Sequence, residues 1–181
     1  MKLEMRTLKN IAAAAMTLAV VFGAASLKPV TANAAEASVS ASIEEENSYI
    51  SFQDEAYQNE FLRRVNNERA KYGLQPLVMG DAKLTAAAQQ RAEEIATVNS
   101  HVRPNGTKWY TVLSEYGVTD AAAGENAAWG SVSPEEVVNA WMNSEGHRAN
   151  ILDPEARAMG VGYYYNSSST WGHQWIQLFT K

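Results

Sequence analysis

The spacing of apolar residues changes along this chain of 181 residues, and that change limits the folds it can adopt. In residues 56–72 and 84–96, apolar side chains recur every three or four positions, which predicts two amphipathic helices. In residues 159–165 and 171–179 they alternate, which predicts two strands joined by a turn at 166–169. The sequence therefore predicts helices followed by an antiparallel hairpin, a fold of α+β character.

Residues that begin and end helices mark the other elements. Gly73 is expected to end the first helix, and Asp81 to cap the second. Ser133 and Pro134, followed by two glutamates, predict the start of a further helix that ends near Ser144. Residues 77–79 are expected to form a third strand, and residues 109–116 a short helical piece. Together these elements predict a small sheet with helices packed on its faces.

The N-terminus has the three-part layout of a secretory signal peptide. Basic residues are followed by an apolar run over 11–25 and by the small-x-small pattern Ala32-Asn33-Ala34. The run is shorter than the ~20 residues that a membrane span needs. We therefore predict a signal peptide at 1–34, an acidic flexible spacer at 35–55 and one domain at 56–181. We expect a secreted, extracellular protein that keeps no stable transmembrane anchor after signal cleavage.

Charge and cysteine content exclude several classes of function. The formal net charge is −5, and removal of residues 1–34 would delete more basic than acidic side chains. Such an acidic domain is a poor match for nucleic acid, because phosphates are bound by clustered lysine and arginine. The chain contains no cysteine, so disulfides, a thiol nucleophile and thiolate metal ligands are excluded.

Three segments carry titratable residues that we expect in loops: residues 100–106, 124–126 and 141–152. They contain His101, the triplet Gly124-Glu125-Asn126 and the triplet Gly146-His147-Arg148. In order and spacing these segments resemble the bacterial branch of the CAP superfamily, named for cysteine-rich secretory proteins, antigen 5 and pathogenesis-related proteins, also described as SCP-like domains. The resemblance covers roughly residues 56–181.

The resemblance implies a three-layer α-β-α sandwich with a small antiparallel sheet flanked by helices. It also implies a central cleft where two histidines and two glutamates face each other. By motif, His101 and His147 match the histidines and Glu125 matches one glutamate. The family's second glutamate falls on Ser144, with Glu145 one residue further. Since adjacent helical residues point about 100° apart, Glu145 does not take that place directly.

Two interpretations of this cluster remain open. His101 and His147, with the carboxylate of Glu125, would suit Zn²⁺ or another divalent cation. Without a metal, Glu125 would fix one imidazole by a hydrogen bond and order the cleft wall. A serine hydrolase and a zinc peptidase helix are not expected, because the Gly-x-Ser-x-Gly and His-Glu-x-x-His patterns are missing.

The sequence favours a non-enzymatic ligand-binding or interaction module, whose partner would be a lipid, an envelope fragment or a protein. The alternative is a metal-dependent zinc hydrolase or protease, with Glu125 as a ligand or general base. Several other side chains are expected to have structural roles. We expect Asn126, Arg148 and Asn150 to bond to the backbone, Trp141 to be buried, and His173 to lie at the surface or at a strand edge.

Overall fold

The computed structural model describes residues 55–181, which form five helices and four strands. The helices are α1 (Glu55–Lys71), α2 (Ala82–Ile95), α3 (Thr111–Glu115), α4 (Pro134–Met142) and α5 (Glu145–Ile151). The strands are β1 (Val78–Met79), β2 (Ala122–Trp129), β3 (Ala158–Asn166) and β4 (Gly172–Thr180). The predicted signal peptide and the predicted spacer up to residue 54 lie outside the described residues, and Glu55, assigned to the spacer, begins α1. Within this range no helix has the length and apolar character needed to cross a membrane.

The four strands form one sheet in the order β1-β3-β4-β2. β3 and β4 form the predicted antiparallel hairpin, and β2 pairs antiparallel with the other side of β4. β1 pairs in parallel with β3 over two residues, so the sheet is mixed rather than wholly antiparallel. β2 and the short β1 are the two edges of the sheet.

Each face of the sheet is covered by its own group of helices. Because side chains alternate along a strand, β4 sends Trp175 and Phe179 to one face and Ile176 and Leu178 to the other. The first face packs against α1, α4 and α5, and the second against α2 and α3. The α-β-α sandwich implied by the resemblance is therefore confirmed.

Helix α2 lies close to the sheet because the residues on both contacting surfaces are small. The helix presents Ala87 and Ala88, and β3 presents Gly160 and Gly162 beneath them. A Cβ atom built on Gly162 would lie 2.1 Å from the backbone oxygen of Ala88, and one on Gly160 would lie 2.7 Å from that of Leu84. The two glycines therefore permit direct contact between the strand and the backbone of the helix.

The predicted helix ends are confirmed. Asp81 caps α2, since its carboxylate accepts from the N–H groups of Lys83 and Leu84, both at 3.0 Å. Ser133 caps α4, with Pro134 as the first helical residue. Gly73 follows α1 with φ +69°, a left-handed conformation that glycine adopts without strain.

Two elements were missed by the sequence analysis. Residues 124–126, expected in a loop, belong to strand β2, and residues 145–151, which lie in the segment 141–152 that was also expected in a loop, form helix α5. Alanine, glycine, asparagine and glutamate have low strand propensity, so β2 carries little local signal. Its pairing with β4 supplies the hydrogen bonds that make it a strand.

The contact between α2 and β3 can be tested with Gly162→Ala. Because the new methyl group would meet helix backbone, we expect the free energy of unfolding to fall by about 3 kcal/mol. Gly146→Ala is the control, since a Cβ there meets nothing within 4 Å and alanine favours the helix by up to about 1 kcal/mol. Urea denaturation measures both, and equal stability of the two variants would contradict this packing.

Candidate functional site

Strand β2 carries two neighbouring polar residues that point to opposite faces of the sheet. Glu125 is paired with Leu178 of β4 and shares its direction, towards α2. Asn126 is paired with Gln177, and its side chain hydrogen-bonds Gln177 and the backbone of α5. β2 is an edge strand, but both residues are buried, with relative exposures of 4% and 0%. This edge is where the candidate site forms.

The carboxylate of Glu125 is buried, and both of its oxygens accept hydrogen bonds from side chains. Arg91, on the buried face of α2, donates from Nε to Oε2 at 2.8 Å and from Nη2 to Oε1 at 3.2 Å. His101 approaches Oε1 with Nδ1 at 2.7 Å. A carboxylate only accepts, so Nδ1 of His101 carries the proton in this hydrogen bond. Glu125 therefore joins a helix to the segment that contains His101.

His101 is held at one ring nitrogen and accessible at the other. Its side chain is 57% exposed, although the Glu125 carboxylate beside it is buried. The hydrogen bond from Nδ1 to Glu125 raises the pKa of His101 above its ordinary value, against the opposing effects of burial and of the Arg91 charge. The remaining nitrogen, Nε2, is the one left to contact a ligand.

His147 lies on α5, beside the same edge of the sheet. Burial lowers the pKa of His147, and the charge of His101 lowers it further. Among the described residues, no hydrogen bond or ion pair joins the His147 side chain to His101 or Glu125. The structure therefore bonds His101 to Glu125 and places His147 on α5, the helix that packs against β2.

Asparagine side chains fix α5 against β2. Asn150 donates to the backbone oxygen of Glu125 at 3.1 Å and to Oδ1 of Asn126 at 2.9 Å. Asn126 donates to the backbone oxygen of His147 at 3.2 Å. Arg148 donates to the backbone oxygen of Met142 at 3.3 Å. The expected structural roles of these residues are confirmed, and they determine where His147 sits.

Ser144 and Glu145, the two possible fourth members, lie at the start of α5. Ser144 is the N-cap residue, although its side chain makes no capping hydrogen bond. Glu145 is an exposed residue in the first turn. Within residues 55–181, no hydrogen bond or ion pair joins either side chain to His101, Glu125 or His147.

His173 differs from its expected place at the surface or a strand edge. It lies in β4, an inner strand, and is half-buried. Its Nδ1 lies 2.8 Å from the hydroxyl of Tyr163, and its ring packs against Tyr163 and Tyr165. The alternation that sets strand side chains explains the difference, since His173 shares a face with Trp175.

The side chains present do not fit a zinc site with three protein ligands. Such sites use three or four His, Cys, Asp or Glu donors around the ion. In the part of the chain that the structure describes, no three such residues are grouped to hold a metal ion. Glu125 in particular is committed to Arg91 and His101. The donor set is therefore limited to the two imidazoles.

Arg91 is the functional neighbour that the sequence analysis missed. It is fully buried, and it lies on the same stripe of α2 as Ala87, Ala88 and Ala92. A cation at a core position of an amphipathic helix requires a buried anionic partner. An arginine on the apolar stripe of a predicted helix is the sequence signal that would have identified Arg91.

Comparison with known proteins places this chain in a described family. Residues 62–179 match the model of the family described as the cysteine-rich secretory protein family, CAP. The chain is 41% identical over 123 residues to the uncharacterized protein YkwD of Bacillus subtilis, covering 67% of this chain and 47% of that protein. It is 33% identical over 107 residues to the uncharacterized membrane protein YlbC of the same species, covering 58% and 31%. The chain thus spans about half or less of these curated relatives.

Solved structures show the same architecture. An extracellular protein of Bacillus anthracis that contains an SCP domain matches with a TM-score of 0.59 and 26% identity, over 68% of this chain and 39% of that one. An outer surface protein of Borrelia burgdorferi matches with a TM-score of 0.61 and 21% identity, over 70% of this chain and 93% of that one. The second likeness shows the fold alone.

The two imidazoles can be distinguished by an NMR pH titration. We expect His101 to titrate above, and His147 below, the ordinary value of about 6.5. Glu125→Gln removes the partner that raises the pKa of His101, so that pKa should fall. Glu145→Gln is the control, because within residues 55–181 no hydrogen bond or ion pair joins this exposed carboxylate to His101, Glu125 or His147. A shift of His147 in that control would instead make Glu145 the fourth member.

Proposed function

Because the chain belongs to the cysteine-rich secretory protein (CAP) family, we propose that it is an exported binding module that holds its ligand at His101 and His147. The ligand class we assign is a fragment of the cell envelope that carries both acidic and hydroxyl groups. The module binds this ligand without catalysing a reaction on it.

The observation that carries the proposal is the binding of the buried Glu125 carboxylate to two side chains of the protein itself. Both of its oxygens accept hydrogen bonds, from Arg91 and from His101. The carboxylate therefore orients an imidazole instead of presenting itself to a ligand. An imidazole whose orientation is fixed in advance loses less entropy when it binds, which favours recognition.

The opposite pKa shifts of the two histidines favour a ligand with mixed hydrogen-bonding groups. Between the lowered pKa of His147 and the raised pKa of His101, His101 is protonated while His147 remains neutral. His101 then offers a cationic donor at Nε2, and His147 offers one donor and one acceptor. A carboxylate or phosphate beside a hydroxyl meets both requirements, whereas an acyl chain meets neither.

Export is supported by the N-terminal sequence and by the relatives. Residues 1–34 have the layout of a signal peptide. The similar protein of Bacillus anthracis is described as extracellular, and that of Borrelia burgdorferi as an outer surface protein. An envelope fragment is a ligand that such a location would supply.

The hydrolase alternative is less well supported by the same geometry. It requires Glu125 either as a metal ligand or as a base for a bound water. Both oxygens of this buried carboxylate already accept hydrogen bonds from Arg91 or His101, and either role would have to compete with them. No step through a metal is therefore assigned to this site.

Ligand binding can be tested by NMR on the protein purified from culture medium. The probes are soluble muropeptides from digested peptidoglycan and, separately, phosphatidylglycerol vesicles. We expect saturable shifts of the His101 and His147 ring signals with muropeptides, since these carry carboxylates and hydroxyls. His101→Gln and His147→Gln should abolish binding, whereas His173→Gln should retain it. Undiminished binding by the first two variants, or shifts confined to other residues, would contradict the proposal.

A zinc titration tests the alternative. With only two imidazoles as donors, we expect no saturable binding at micromolar zinc by calorimetry. Removing either donor, in His101→Ala or His147→Ala, should then change nothing. Tight binding that disappears in both variants would favour the hydrolase over the binding module.

A further inference from the structure

His101 lies at the start of a loop that folds back on itself. Val102 and Lys108 form an isolated antiparallel bridge, and the N–H of Trp109 donates to the backbone oxygen of His101 at 3.1 Å. The N–H of Arg103 donates to the oxygen of Thr107 at 2.9 Å. These backbone bonds tie the loop of residues 101–110 to the backbone of His101. The position of the His101 backbone depends on what attaches this loop to the protein.

Arg103 attaches the loop to two helices. Its side chain is only 4% exposed, and it forms ion pairs with Glu94 of α2 and Glu115 of α3, both at 2.6 Å. A further bond joins Nη1 to the hydroxyl of Thr111 at 2.9 Å. Guanidinium groups bind carboxylates through two parallel hydrogen bonds, so Arg103 fixes direction as well as distance.

Glu94 also reaches the other half of the site. Its Oε2 accepts from Nη1 of Arg91 at 2.6 Å, and Arg91 in turn holds Glu125. Arg91 also donates to the backbone oxygen of Ser100 at 3.2 Å, immediately before His101. One carboxylate, with its side chain 10% exposed, thus contacts both arginines. Glu94 therefore connects Arg103, which holds the loop that carries His101, with Arg91, which holds the carboxylate that orients the His101 ring.

Charge alternates along the whole chain of contacts. The order is Glu115, Arg103, Glu94, Arg91, Glu125 and His101. In this chain of contacts each of the two guanidiniums lies between two carboxylates, so neither Arg91 nor Arg103 lacks an anionic partner. With His101 neutral, three carboxylates face two guanidiniums, and the excess negative charge is balanced when the imidazole is protonated.

We propose that Glu94 is a positioning residue for His101, which it holds through Arg103 at the backbone and through Arg91 and Glu125 at the ring. The proposal deepens the proposed function, because it matters for recognition only if His101 contacts the ligand. Glu94 itself does not touch the ligand. It sets the tautomer and direction of the group that does.

The experiment observes the His101 ring in the absence of any ligand. Two-dimensional ¹H–¹⁵N spectra of histidine rings distinguish the tautomer protonated at Nδ1 from the one protonated at Nε2. At a pH where His101 is neutral, we expect the wild type to show mainly the Nδ1–H form, because that proton is donated to Glu125. Glu94→Gln should lower the ratio of the two forms several-fold, since Arg91 and the loop lose their common carboxylate.

Glu93→Gln is the matched control. It removes the same charge from the adjacent position of α2, where the side chain meets Gln89 at 3.4 Å and lies apart from the arginines. A general effect of lost charge or helix stability would change both variants equally. Equal tautomer ratios of the His101 ring in Glu94→Gln, Glu93→Gln and the wild type would overturn the proposal.

A second variant covers the case in which Glu94→Gln does not fold. Glu115 stands at the far end of the chain of contacts, and its side chain is 49% exposed. Glu115→Gln removes one of the two carboxylates that hold Arg103 and should shift the tautomer ratio in the same direction by less. An unchanged ratio in this folded variant would equally overturn the proposal.

The ring measurement separates this proposal from the proposed function. If muropeptides fail to bind but Glu94→Gln still changes the tautomer ratio, the positioning role stands and the binding function fails. If muropeptides bind the wild type but the tautomer ratio does not change in Glu94→Gln, the binding function stands and the positioning role fails.

Discussion

A guanidinium removed from water needs an anion beside it, and Arg91 meets that need with Glu125 across the gap between helix α2 and strand β2. Both side chains are inaccessible to solvent, so loss of either would leave a buried charge without a partner. Such a loss typically costs about 3–5 kcal/mol. The pair thus makes the candidate site part of the structure that holds the domain together.

The close approach of α2 to the sheet makes this ion pair possible. Gly160 and Gly162 of β3 bring the helix backbone down onto the strand, and Arg91 lies on the same stripe of the helix as the alanines that rest there. A bulkier strand surface would raise the helix and lengthen the gap to Glu125. The ion pair between Arg91 and Glu125 therefore depends on the small residues packed between α2 and β3.

Much of the fold could be predicted because its signals are local. The periodicity of α1 and α2, the caps at Asp81 and Ser133, and the alternation in β3 and β4 depend on neighbours in sequence. Strand β2 could not be predicted in this way, since small residues become a strand only through pairing with β4.

The candidate site, like the fold, could be predicted only in part. Of the three residues taken from the family resemblance, His101 and Glu125 are joined by a hydrogen bond, and that bond follows from tertiary contacts. Spacing alone could not show that Glu125 would be held by Arg91, nor that Glu94 and Arg103 would connect to it. These partners come from a helix and a loop that only the folded chain brings together.

The opposite orientation of Glu125 and Asn126 also favours a single register of β2 against β4. If β2 slid by one residue against β4, the carboxylate would turn towards the backbone oxygen of His147, where an amide now donates. The amide would meanwhile face Arg91 and could not neutralise it. Misaligned pairing would therefore be penalised by the same polar groups that form the candidate site, which favours the observed register of the sheet.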